Sequence, residues 1–221
     1  ELVFSDCRIP KENIISTPGR GFRIAMDTLD GGRVGVGAQA SGIARAAYEA
    51  ALKYSQERKQ FGSALKDFQG INHKLAQMKM DIETTRLLTW KAAWMKMSGK
   101  RYAKDAAMAK LFGSEMATRV CHQAIQILGG YGFIKDYPVE RFYRDARITE
   151  LYEGTSEIQS RLIAMFRLQK TVRTRGEYYE SMAGNLEKVS QGYGAESLAA
   201  AIRVMNGIIL DARRLKLTKS Q

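Results

Sequence analysis

Between residues 71 and 95 the apolar positions recur at spacings of three and four. Ile71, Leu75, Met78, Ile82, Leu88, Ala92 and Met95 form the line, with Thr85 inside it, while Lys74, Gln77, Asp81, Thr84 and Lys91 take the other side. That period predicts a long amphipathic helix, and Gly99 supplies its stop. An Ala- and Gly-rich helix is predicted before it, from caps at Thr28 or Asp30 to about Arg58. A third runs from near Ala103 to Leu128 and stops at Gly129-Gly130, and Pro138 opens a short fourth. Ser156 caps another through about Gln169. Two weaker helical patterns, 175–191 and 195–216, are separated by the break GYGAE.

The first ten residues differ. Leu2, Phe4, Cys7 and Ile9 alternate loosely and stop at Pro10, which reads as one strand, and a lone strand needs partners from elsewhere. The expected fold class is therefore all-α: an antiparallel four-helix bundle with a short N-terminal strand remnant and a C-terminal helical extension. The domain reading is 1–26 for the remnant and linker, 27–170 for the bundle and 171–221 for the extension. ELVFSDCRIP has neither the basic nor the long apolar region of a signal peptide, so the sequence reads as part of something longer.

Composition narrows the chemistry. Apolar residues are 45% of the 221, enough for a core, and no run approaches the roughly 20 apolar residues of a membrane span. Cys7 and Cys121 stand far apart in sequence with only His73 and His122 besides, which makes neither a disulfide framework nor a zinc cluster, and two isolated thiols suit a reducing compartment. The formal charge of +12 comes from Lys and Arg spread along helices without a dense basic run, so a solvated surface is favoured over nucleic-acid binding. Gly35, Gly37 and Ala40 match the dinucleotide fingerprint but lie in a helical pattern without the preceding strand. Small residues at Gly35, Ala38 and Gly42 read instead as a site of close helix approach.

Several residues stand out for chemistry. Glu150, Glu153 and Glu157 surround the connection before Ser156, and spacing does not choose among them. Each is equally an ordinary acid favoured by a helix dipole. Thr155 and Ser156 open a helix, a natural anion seat and equally a normal cap. Arg58 and Phe61 pair a cation with an aromatic, able to hold a phosphate and stack a ring, or simply to close a helix. Gln126 precedes glycines that let a ligand or backbone come near.

Taken together, the strings ELVFSDCRIPKENI, TLDGGRVGVGAQASGIARAA, ERKQFG, FQGINHKLAQM, HQAIQILGGYGF and RDARITELYEGTSEIQ resemble the C-terminal part of flavin-dependent acyl-CoA dehydrogenases, nearest the short-chain or butyryl type. The likeness covers about residues 1–168 in the family's order. It implies a C-terminal helical domain and makes ELVFSDCRIP resemble the last strand of the family's middle β-domain. Glu153 matches the base of the Y-E-G-T motif, which removes the substrate α-proton. Isovaleryl-type relatives carry the base within the segment matching LDGGR, where this chain has Gly32. Asp30, Gly31, Gly32, Arg33 and Gly154 match acyl-CoA contacts, with Arg33 implied to meet a polar or anionic group of CoA.

Thr155, Ser156 and Glu157 match contacts to FAD within one subunit. Arg58, Phe61, Gln69, Gln126, Ile127, Leu128, Gly129 and Gly130 match residues reaching a neighbouring subunit's FAD. The resemblance further implies oxidation of acyl-CoA thioesters to trans-2-enoyl-CoA, a homotetramer built as a dimer of dimers, and electron-transfer flavoprotein as acceptor. It implies a mitochondrial matrix location in a eukaryote and a cytoplasmic one in a bacterium. The family's N-terminal helical domain and most of its β-domain have no counterpart in these residues, so the chain alone is expected to be inactive. The alternative is a non-catalytic helical assembly module that keeps the family core. Residues 171–221 depart from the short-chain pattern and carry apolar positions that would cover the bundle, join an interface or, less favoured, meet a membrane.

Overall fold

The computed structural model describes residues 2–189 and 194–214. They fall into two compact units, residues 1–156 and 157–221. The first holds four helices: α1 (Gly21–Glu57), α2 (Gln69–Met97), α3 (Ala103–Leu128) and α4 (Val139–Ile148). The second holds α5 (Ser156–Arg173, its first residue belonging to unit one), α6 (Glu177–Val189) and α7 (Ala195–Arg214). The sole sheet among the described residues is a hairpin of β1 (Lys59–Gln60) and β2 (Ser63–Ala64).

In the first unit α1 packs chiefly on α3, and α2 runs antiparallel to both. The small residues of α1 make this approach possible. A methyl group added to Gly113 of α3 would meet the Gly37 backbone at 3.6 Å, and one added to Gly37 would meet Ala109 O at 3.4 Å and Thr89 Oγ1 at 3.0 Å. Ala40, Ala44, Ala47 and Ala51 continue the line, all fully buried. The close-approach face is thus one step round the helix from the Gly35, Ala38 and Gly42 face expected from sequence, which is exposed. Leu75, Met78 and Ile82 of α2 and Met116, Val120, Ala124 and Leu128 of α3 complete the core.

Local chemistry sets the boundaries. Helix α1 begins upstream of the expected caps, because residues 21–27 continue the helical pattern. Thr28 is internal, its hydroxyl donating to Ile24 O at 2.9 Å. The α2 end is a two-bond stop, Gly99 N to Lys96 O at 3.1 Å and Lys100 N to Met95 O at 2.9 Å, with Gly99 left-handed at φ +66°. Between α1 and α2, Phe61 and Gly62 have φ of +50° and +84°, which gives a two-residue hairpin turn. Residues 2–10 are exposed and form no ladder. A strand segment without a partner has nothing to bond to.

In the second unit α6 packs on α7. Asn206 Nδ2 donates to Gly176 O at 3.0 Å, and Arg203 reaches Glu180 at 2.7 Å and Glu187 at 2.8 Å. Leu198 and Met205 of the extension are exposed, while Ile202 and Ile209 are half-buried. The ends of the two patterns expected here, 190–191 and 215–216, lie outside the described residues. No described helix is long and apolar enough to cross a membrane.

Candidate active site

The connection from α4 to α5 is a chain of tight turns. Thr149 N bonds Ala146 O at 3.0 Å, Leu151 N and Tyr152 N bond Ile148 O at 3.0 and 3.2 Å, and Ser156 N closes back on Glu150 O at 3.1 Å. At its tip Glu153 and Gly154 are both left-handed, with φ of +55° and +94°. Glycine adopts that region freely, whereas for glutamate it costs on the order of 1 kcal/mol or more. Strain of this kind needs surrounding structure to hold it.

The strained residue lays its carboxylate on the first helix. A methyl group built on Gly32 would lie 2.6 Å from Glu153 Oε2 and 3.2 Å from Oε1. Only a glycine leaves this seat open, so a side chain at position 32 and the Glu153 carboxylate compete for one volume. The three acids that spacing left equal now differ. The Glu150 carboxylate accepts a bond from the Thr118 hydroxyl at 2.5 Å and another from Arg147. Glu157 is exposed on the first turn of α5, and Glu153 is half-buried against α1.

Next to this seat in α1 lie Arg33, directly after Gly32, and Asp30, two residues before it. Arg33 is 7% exposed, and its Nη1 donates to Asp30 at 2.5 Å while its buried Nε has no hydrogen-bond partner. Burial pushes the Asp30 carboxyl above its ordinary range, outweighing the opposing pull of Arg33. Gly31 backs onto α2, where Lys96 Nζ would lie 2.9 Å from an added methyl group.

A second cluster occupies the other end of the unit. Arg58 and Ile127, Leu128, Gly129 and Gly130 line one open cleft of about 490 Å³ with Tyr54 and Tyr131. The Arg58 guanidinium sits 5.9 Å from the Tyr131 ring centre. Gly129 is left-handed at φ +62°, and nothing lies within 4 Å of a methyl group added to Gly129 or Gly130. The cleft therefore offers unobstructed backbone beside a cation, which fits the phosphates of a dinucleotide. Gln126, Gln69 and Phe61 do not line it. All three are exposed, Phe61 by 95% at the hairpin tip. Gly32 and Arg58 are separated by most of α1, about 40 Å at roughly 1.5 Å per residue.

Thr155 and Ser156 lie beside Glu153 at the opening of α5, and the buried Ser156 Oγ has no hydrogen-bond partner. A polar atom of that kind at a helix N-terminus fits an incoming acceptor group of a cofactor. Two contacts around Glu153 escaped the sequence reading, Tyr152 with Gln39 and Thr118 with Glu150. Gln39 stands 113 residues from Tyr152. The one available signal was its place seven residues, two helical turns, after Gly32.

Comparison with known proteins decides the family. The family model described as "Acyl-CoA dehydrogenase, C-terminal domain" matches residues 19–168. The chain belongs to the acyl-CoA dehydrogenase family. It is 57% identical over 163 residues to the mitochondrial short-chain specific acyl-CoA dehydrogenase of Mus musculus, covering 74% of this chain and 40% of that protein. The solved butyryl-CoA dehydrogenase of Megasphaera elsdenii is 52% identical, with a TM-score of 0.74 over 75% of this chain and 43% of its own. A chain in the structure of the electron transferring flavoprotein of Acidaminococcus fermentans is 50% identical, with a TM-score of 0.72 over 73% and 43%. The chain thus spans well under half the length of these relatives.

Proposed function

We propose that this chain is the C-terminal helical part of an FAD-dependent acyl-CoA dehydrogenase, in which Glu153 takes the α-proton of an acyl-CoA thioester. The observation that carries the reading is the seating of the Glu153 carboxylate on the bare backbone of Gly32. It fixes the carboxylate in one place, at the strained tip of a loop with little side-chain freedom left to lose. A thioester α-proton is weakly acidic, so abstraction needs alignment, a polarised carbonyl oxygen and exclusion of water. A carboxylate stripped of water is a stronger base than a solvated one. Hydrogen bonds to the thioester carbonyl stabilise the developing enolate charge. Gly154, beside the carboxylate, lets the thioester approach, and the Asp30–Arg33 turn flanks it.

When bound, FAD would supply the two-electron oxidation that turns the thioester into a trans-2-enoyl-CoA. Thr155, Ser156 and Glu157 hold the cofactor at the near end of the chain. Arg58, Phe61, Gln69 and the run Gln126–Gly130 lie about 40 Å away along α1, too far to serve the same cofactor molecule. They hold the FAD of a neighbouring copy, and this division supports the homotetrameric reading. The exposure of Phe61 on its hairpin suits a ring that stacks on another chain's cofactor. Electron-transfer flavoprotein is the proposed electron acceptor, supported by the similar chain found in a structure of that protein. The domain organisation proposed is 1–26, 27–170 and 171–221. The compartment follows the source, mitochondrial matrix or bacterial cytoplasm.

The test uses a fusion in which the full chain follows the part of the M. elsdenii enzyme that precedes the matched segment. Loaded with FAD, this fusion is expected to oxidise butyryl-CoA, and Glu153→Gln is expected to lower kcat by about 10³-fold with FAD content unchanged. Turnover by Glu153→Gln within tenfold of the parent would overturn the assignment.

A further inference from the structure

The loop that carries Glu153 is fastened by side-chain hydrogen bonds to both α3 and α1, and the bond to α1 lies immediately beside the acid. On the α3 side, Thr118 donates to Glu150 at 2.5 Å. On the α1 side, the Tyr152 hydroxyl donates to Gln39 Oε1. Gln39 follows Gly32 by two turns, so the two positions share one face of α1 about 10 Å apart. Adjacent residues of the loop therefore grip the same helix face at two points, Tyr152 through its phenol and Glu153 through its carboxylate.

That grip answers a physical need. Glu153 is held at φ +55°, a conformation that a glutamate leaves when nothing opposes relaxation. Return to a negative φ rotates the side chain away from Gly32. The backbone bonds of the loop close residues 149–152 and the Glu150–Ser156 span, and the Tyr152–Gln39 bond ties the residue directly before the strain to a rigid element. We propose that Tyr152 and Gln39 are positioning residues, whose hydrogen bond clamps the base loop to α1 and keeps the Glu153 carboxylate on its seat over Gly32.

This inference rests on the reading of Glu153 as the base, and the test separates the two. In the FAD-loaded fusion, Tyr152→Phe and Gln39→Leu are each expected to lower kcat about 10- to 30-fold, with KM changed less than twofold. This follows because a displacement near 1 Å of a reacting group costs up to about 10²-fold. The double variant is expected to be no slower than the slower single, since both remove one bond. Gln39→Glu keeps an acceptor oxygen and is expected to recover kcat to within about threefold of the parent, whereas Gln39→Met keeps volume alone and is not. In the 221-residue chain by itself, Tyr152→Phe is expected to speed amide hydrogen exchange across residues 149–155 and leave α2 unchanged.

Unchanged kcat in both single variants, additive losses in the double, or full activity of Gln39→Met would each overturn the clamp. So would a raised KM in Tyr152→Phe with Gln39→Leu silent, which would mean that the phenol serves the substrate directly. Glu153→Gln is measured alongside. If it retains turnover, the base assignment fails; if it is inactive while the Tyr152 and Gln39 variants are silent, only the clamp fails.

Discussion

Replacing Gly32 by alanine sets stability and activity in opposition. Gly32 lies inside α1, where alanine is favoured over glycine by about 1 kcal/mol through its lower backbone entropy loss. The added methyl group would stand 2.6 Å from Glu153 Oε2 and 3.0 Å from Cδ, inside any ordinary carbon–oxygen contact. The nearest obstacle is the end of a flexible side chain, so the carboxylate gives way and retreats by about 0.5–1 Å while the helix stays intact. A shift of that size at the reacting atom lowers kcat by about 10- to 100-fold. The expected result is a fusion enzyme with an unchanged or raised Tm and a kcat for butyryl-CoA down by at least tenfold. Gly35→Ala is the control, because it gains the same helix preference in the same helix with nothing within 4 Å of the new methyl group. It is expected to raise Tm and leave kcat alone. Full activity of Gly32→Ala would refute the argument that the seat over Gly32 locates the acid.

Two further outcomes follow from the packing. Gly132→Ala places a methyl group 2.6 Å from Ile125 O and 2.9 Å from its Cα, both backbone atoms that cannot yield, so a loss of about 2 kcal/mol is expected in denaturant unfolding. Burial, with a lesser push from the Asp145 charge, raises the Cys121 thiol from 9.0 to about 12. The unfolded thiol then ionises first as pH rises. Its contribution to stability is constant below about pH 8, is eroded above pH 9 by roughly 1.4 kcal/mol at pH 10, and levels off only beyond about pH 12. Urea titrations of the chain and of Cys121→Ala at pH 8 and pH 10 measure this, and an equal pH effect in the two would contradict it.

Much of this molecule was readable before its structure. The 3.6-residue period of Ile71 to Met95 marked α2, and Gly99 and Gly129 marked helix ends because their left-handed φ is costly for other residues. The start of α1 was misplaced because Thr28 and Asp30 look like caps while both bond within the helix. The packing face of α1 was read one step off, since alanine and glycine populate both of its faces and composition does not say which one meets α3. The turn at Phe61-Gly62 was hidden because a phenylalanine with φ of +50° announces no turn. For the site, residue type and spacing left Glu150, Glu153 and Glu157 equal, and the likeness to a family chose among them. What separates them physically is long-range: Thr118 engages Glu150 across 32 residues, and Gly32 of α1 seats Glu153. Contacts across more than a hundred residues, such as Tyr152 with Gln39, have no local signature.

The central claim is that Glu153 moves the α-proton, and exchange of that proton tests it without waiting for turnover. The FAD-loaded fusion and its Glu153→Gln variant are incubated in D2O with an acyl-CoA, and deuterium at the α-carbon is followed by mass spectrometry. The account predicts incorporation with the parent and a loss of at least about 10³-fold with Glu153→Gln, while FAD and acyl-CoA remain bound. Incorporation at the parent's rate by the Glu153→Gln variant would contradict it.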